Sequence, residues 1–308
     1  FLAAIYHKFD ILGPTTTFNI DSMATENVSC FGANDGSAKV VYTIDTDPNH
    51  PRPADSIRWY VLDNGLDFDG VNDHVQLPNG LVQSMTDFTF EAWFKKDANK
   101  SWSRIMDFGS GTGINMFLTA TVGTGGIPRF AIKASGGGEQ QLTAPTAIPI
   151  GEWVHYAVTI NSATSTGKFY INGVLVDTNT SMTYNPSSLG ATTANYLGKS
   201  QYNADGFLDG TMNEVRIWNS VRTIEEISAN INSELTGLED DLFAYYPFNQ
   251  GVAASNNGSI TSATDGTSSG LGGILKSFSL SGSSSNFIIG NLGGLIPESV
   301  SYTHLRAH

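Results

Sequence analysis

A single cysteine, Cys30, occurs in 308 residues. That excludes an internal disulfide framework and any zinc site built on cysteines. No run of about 18 apolar residues is present, so no membrane-spanning helix is written into the chain. Basic residues are scarce, 16 Lys and Arg against 29 Asp and Glu, for a net charge of −13. Such a chain repels a phosphate backbone, so nucleic acid is not an expected partner. Enzyme signatures are missing too: there is no H-E-x-x-H and no G-x-S-x-G, and the glycine run at 109–113 lacks the Lys-Ser/Thr of a phosphate loop. What is present is 40% hydrophobic residues, 33 glycines and only 15% charged residues. The chain can bury a core while Ser, Thr, Asn and Gly serve its surface, a profile that suits an extracellular β-protein.

Strand patterns dominate from residue 64 to about 250. Phe88, Phe90, Ala92 and Phe94 alternate with Thr89, Glu91, Trp93 and Lys95, as one buried face requires. Arg104–Phe108, Ile114–Val122 and Pro128–Lys133 read as short strands between Gly-rich turns. Val154, Tyr156, Val158 and Ile160 mark another buried face. Asn172-Gly173 between two apolar runs predicts a type I′ hairpin. The expected helix lies near 223–232, with Thr223 as N-cap and Glu226 completing a capping box. The segment 242–248 returns as a closing strand. The Gly/Ser-rich tail, 251–300, is expected to carry a β-hairpin around Ile274, Leu275, Phe278 and Leu280.

Residues 1–20 show no clear pattern and stay unassigned. Residues 21–62 are expected to form a small β-module plus a Pro/Asp-rich linker, with a hairpin over 26–44 turning at Asn34-Asp35-Gly36. Its opening resembles the start of an SprB-type repeat of bacterial surface adhesins, over fewer than 20 residues. Residues 301–308, SYTHLRAH, differ in character and are expected to be a non-native tail. With no methionine at position 1, the chain is expected to be a fragment of a longer protein.

Three stretches, LDFDGVNDHVQLP at 66–78, FTFEAWFK at 88–95 and GTMNEVRIWN at 210–219, occur in one order. Together they resemble the LamG-like jelly roll of the concanavalin A-like lectin/glucanase superfamily, which also contains the pentraxins. The resemblance implies an all-β, two-sheet jelly-roll sandwich over 64–250 with one short helix. It also implies a secreted or cell-surface multidomain setting. His155 matches the family's W-x-H-x-A pattern and is expected to be a packed structural histidine. The superfamily's hydrolases carry E-x-D-x-x-E, which is absent. Glu239-Asp240-Asp241 is consecutive, so its side chains diverge and cannot flank one glycosidic bond. No catalytic residue is expected.

Calcium is the one cofactor the sequence suggests. Asp69 and Asp73 bracket the Gly70-Val71-Asn72 turn and could offer oxygens to a hard cation, or could simply cap the turn. The family commonly has Asp where Asn213 stands. Alternation puts Asn213 on the face of Val215 and Ile217, with Glu214 and Arg216 paired on the other. Pentraxins place calcium-binding acids just after a strand's Leu-Gly, where this chain has Leu197-Gly198-Lys199. Glycan recognition needs rings beside hydrogen-bonding groups, and the candidates are Trp102, Tyr196, Gln201, Tyr202, Asn203 and Asp205. Trp93 is expected either on an open sheet surface or beneath the tail hairpin. The expected function is a non-catalytic adhesion or carbohydrate-binding module whose partner is a glycan or a cell-surface or matrix protein. A structural spacer without its own ligand is the alternative, and a polysaccharide hydrolase the third reading.

Overall fold

The computed structural model describes residues 18–26, 37–44 and 64–290. The chain divides into two units, and Asp63–Leu292 is the larger. In the smaller one, β1 (Phe18–Glu26) pairs antiparallel with β2 (Ser37–Ile44). β1 thus begins within the stretch that shows no sequence pattern. The Asn34-Asp35-Gly36 turn, the linker and the 301–308 tail lie outside the described residues.

The large unit opens with β3 (Asn64–Asp69), β4 (His74–Leu77) and β5 (Phe88–Lys96). Next come β6 (Arg104–Gly109), β7 (Asn115–Thr119), β8 (Arg129–Lys133) and β9 (Gln140–Thr143). β10 (Trp153–Asn161), β11 (Thr166–Ile171), β12 (Val174–Asn179) and β13 (Ala194–Leu197) follow. β14 (Asp209–Trp218) leads into the helix α1 (Ile224–Asn230) and then β15 (Leu242–Tyr246). The tail supplies β16 (Ser262–Ala263), β17 (Gly273–Lys276) and β18 (Phe287–Ile289).

These strands form two antiparallel sheets. The first runs β12-β11-β10-β5-β14-β3-β18, with β15 also on β14; the second runs β16-β17-β4-β13-β6-β7-β8-β9. Their facing sides interdigitate into one core that includes Phe88, Phe90 and Phe94 of β5 and Val154, Tyr156 and Val158 of β10. Each such ring or branched side chain contributes roughly 1.5–3 kcal/mol by leaving water. The sandwich is therefore set by period-2 alternation, as the sequence predicts. Asn172 (φ 49°) and Gly173 (φ 74°) make the hairpin turn between β11 and β12. Thr223 caps α1, accepting from the Glu226 amide, while the Glu226 carboxylate accepts from the Thr223 amide.

One expectation is sharpened and one is corrected. The tail carries a hairpin, β16 with β17, that holds Ile274 and Leu275, whereas Phe278 and Leu280 lie beyond its strands. β17 pairs with β16 and with β4, while β18 crosses to the other sheet and pairs with β3. The second concerns β14, whose register on β5 shifts between Asn213 and Arg216. Glu214 there adopts φ 52°, left-handed backbone that a side-chain-bearing residue holds only when its surroundings enforce it. The bulge inserts a residue, so Asn213 pairs with Trp93 and takes the face of Glu91 and Arg216, away from Val215 and Ile217.

Candidate functional site

The two sheets treat their non-core faces differently. On the first sheet, α1 and the chain after it lie across the strands. Ile224 and Ile227 pack on Ala157 and Tyr170, and Leu235 packs with Trp218 and Tyr245. Beneath this cover sits a polar network. Arg216 Nη2 donates to Glu214 Oε2 at 2.6 Å, and the Tyr245 hydroxyl donates to Glu214 Oε1 at 2.6 Å. Arg216 also donates to the carbonyls of Asn230 and Ser233. His155 Nε2 lies 3.4 Å from Glu91 Oε2, and both side chains are 1% exposed. Trp93 donates to the Ile231 carbonyl and sets its ring edge-on to His155. It therefore lies under the post-helix segment, neither on an open surface nor under the tail.

Burial works on every titratable group here. It lowers His155 against the opposing pull of Glu91. Burial alone would raise Glu91, but His155 and Arg216 outweigh it and hold that carboxyl below its usual range. Burial pushes Glu214 up to about 7 against the pull of Arg216 and Tyr245. Two short charge-assisted donors on one carboxylate fit its ionised form. The network is enclosed, which explains its chemistry: it pins α1 and the chain after it to the sheet.

The second sheet's outer face carries the candidate binding residues. Successive registers align Ile274, Gln76, Tyr196, Asp107, Phe117 and Ala131 in one row across β17, β4, β13, β6, β7 and β8. The loop after β13 rises over this row. It starts at Gly198, whose φ is 85°; a Cβ there would meet the Phe68 ring at 2.5 Å. Only glycine allows this departure.

At the middle of the row, Arg104 organises the loop. Its guanidinium lies 3.9 Å from the Phe117 ring centre, with Nη2 3.0 Å from Asp205 and Nε 3.5 Å from Asp107. Asp107 also accepts from the Gln201 amide and side chain, and Gln201 in turn accepts from the Gly111 amide. Asp205 accepts from Ser200. Burial pushes Asp107 up to about 6, with Arg104 opposing. Arg104 thus spends its charge inside the network, fixing the rings that border it. Trp102 and Tyr202 each stand with ring centres under 6 Å from that guanidinium, and Trp102 also neighbours Arg129. Trp102 is partly exposed and held at φ 55°, its carbonyl accepting from Arg104. Asn203 is exposed at the loop's crest.

The structure therefore brings Trp102, Gln201, Tyr202 and Asp205 together, with Asn203 beside them on the same loop. Tyr196 belongs to the row but to a different group. His74 stands edge-on to it at 5.7 Å, and Lys199 Nζ lies 4.8 Å over its ring. Sequence reading passed over Arg104 and Asp107, the residues that order the loop. Their signal is a pair of opposite charges inside the strand RIMDF.

Asp69 and Asp73 stand apart from both groups. Asp69 accepts from the amides of Val71 and Asn72, and Asp73 Oδ2 from the Asp69 amide, so both brace the turn. Asp73 is fully buried with Oδ1 unpartnered, and burial raises it to about 6. A cation of about six to eight oxygens would draw most of them from backbone and water. Among the described residues no group of three or more His, Cys, Asp or Glu is arranged to hold a metal. No described helix is long and apolar enough to cross a membrane.

Residues 69–228, just over half of the chain, match the model of the concanavalin A-like lectin/glucanases superfamily. No curated protein sequence matches. Among solved structures, a protein from Bacteroides ovatus assigned as carbohydrate-binding is similar at TM-score 0.54 and 17% identity. The match covers 86% of this chain but 66% of that one, so the chain spans just under two thirds of that relative. At this identity the likeness is one of fold. The CBM40 of the Ruminococcus gnavus IT-sialidase, bound to α2,3-sialyllactose, gives TM-score 0.47 at 14% identity, over 54% of this chain and 95% of that one. Domain 4 of AbnA, an extracellular arabinanase of Geobacillus stearothermophilus, in complex with arabinotriose, gives 0.46 at 18%, over 70% and 86%.

Proposed function

The chain belongs to the concanavalin A-like lectin/glucanases superfamily, and we propose that it is a non-catalytic carbohydrate-binding or adhesion module of a larger secreted or surface protein. One observation carries this reading. The Arg104–Asp107–Gln201–Asp205 network holds Trp102 and Tyr202 at fixed positions beside an exposed amide, Asn203. Preset rings next to hydrogen-bonding groups are what a sugar needs, since little ordering entropy is then lost on binding. The strained Trp102 backbone supports it, because such conformations concentrate at functional sites.

The non-catalytic part rests on where the carboxylates are. Glu91 and Glu214 lie under α1 and its continuation, and the Asp107 oxygens are taken by Arg104 and Gln201. None of the three stands free beside a groove, as the acid and base of glycoside hydrolysis must. The test is a glycan array with the full chain and Trp102→Ala. We expect binding by the wild type and at least a tenfold loss in the variant. An array without signal above background would leave a spacer role.

A further inference from the structure

The Tyr196 group differs from the Arg104 group in its charge accounting. Tyr196 and Gln76 are partners across β13 and β4, and Ile274 extends their row onto β17, 50% exposed. One step along the strands, His74 pairs with Lys276 on the same face. Lys199 reaches in from the loop and rests its ammonium over the Tyr196 ring, an attraction between cation and π-face that holds the charge in place. Lys199 and Lys276 both act electrostatically on His74, so three basic groups converge. Neither lysine is ion-paired among the described residues, whereas Arg104 is matched by Asp107 and Asp205. In a chain of net charge −13, two unspent ammonium groups on one sheet face are a local exception. At physiological salt such a patch acts over about 8 Å, largely independent of the distant acids.

His74 sharpens the chemistry. Its Nδ1 lies 3.0 Å from the Asn72 carbonyl, which can only accept. The imidazole proton therefore sits on Nδ1, and Nε2 keeps a lone pair for a hydroxyl donor. The group thus pairs a neutral acceptor with two cations beside an apolar shelf, Ile274.

We propose that the Tyr196 patch is a subsite for an anionic sugar, whose sulfate or carboxylate meets Lys199 and Lys276 while a ring hydroxyl donates to His74 Nε2. The inference rests on the glycan-binding reading and names its ligand class: an acidic polysaccharide.

The experiment titrates the full chain with chondroitin sulfate, polygalacturonate and neutral dextran, at low and at physiological salt. We expect one or both polyanions to bind with affinity that falls as salt rises, and dextran to bind at least tenfold more weakly. Polygalacturonate carries carboxylate alone, so the two polyanions separate the sources of charge. Lys199→Glu/Lys276→Glu should lose at least tenfold in polyanion affinity at unchanged Tm. Lys168→Glu, on the other sheet, should bind as the wild type does and so separates a site from general charge. Unchanged polyanion binding in the double variant, or dextran bound while both polyanions fail, overturns the subsite and leaves glycan binding standing. If these probes and the glycan array all fail, both readings fall.

Discussion

The two outer faces of this sandwich carry similar residue types for opposite ends. Each has an arginine among carboxylates, aromatic rings and amide groups. On the first sheet α1 and its continuation exclude water, and Arg216 sits at 0% exposure with Glu214. On the second sheet a loop covers only part of the row, and Arg104 is buried while its neighbours Trp102 and Tyr202 are not. A buried ion pair adds little net stability, because desolvation offsets its attraction, yet removing one partner is costly. Full enclosure therefore yields a fixed attachment, and partial enclosure a fixed but accessible set of rings.

The largest test of that contrast is Arg216→Met. It leaves Glu214 buried without its cation, and we expect a loss of about 3–5 kcal/mol in urea unfolding. Arg216→Met/Glu214→Gln should regain much of it. Asp107→Asn probes the partly covered face through pH. Burial raises the folded carboxyl to about 6, above its unfolded value, so the folded state holds the proton more tightly. Its contribution is present at low pH and declines as pH rises from about 4 to 6. Subtracting the variant's Tm-pH curve from that of the wild type should show this decline, and a flat difference would place the carboxyl in an ordinary environment. Trp102→Ala should alter binding far more than folding: a tenfold loss, about 1.4 kcal/mol, at nearly unchanged Tm. The smallest effect belongs to the 69–73 turn. Asp69→Ala removes the oxygen that accepts from the Val71 and Asn72 amides and should cost about 1 kcal/mol. From the capping geometry EDTA is expected to leave Tm unchanged, since a cation bound only to the folded state would raise it. A fall in EDTA that Asp69→Ala abolishes would instead place a cation at this turn.

How much of this was legible in the sequence depended on the range of the forces involved. Alternation at Phe88–Phe94 and Val154–Ile160, the Asn172-Gly173 turn and the Thr223 cap are local signals, and the structure follows them. The bulge at Glu214 is not local: whether β14 skips a residue is decided by β3, β5 and β15 together, so simple alternation misplaced Asn213. Half of the site was visible as aromatic residues in loops. The other half, Arg104 and Asp107, depends on a loop whose Gln201 lies 94 residues beyond Asp107 folding back over β6. The separation of Tyr196 from Tyr202, six residues apart, follows from one lying in a strand and the other past the Gly198 departure.

The pairing of β17 with β4 and β18 with β3 sets an order of events. The first two strands of the sandwich are completed by the last two, more than 190 residues later. As the chain leaves the ribosome, both sheets keep an unpaired margin until the segment around 273–289 emerges, so neither layer can close progressively from its start. Contacts at such separation slow folding and prolong exposure of strand margins. Nascent chains halted near residue 250 should therefore depend on holding factors, and a protease cut in the Gly/Ser-rich stretch before β17 should open both layers at once.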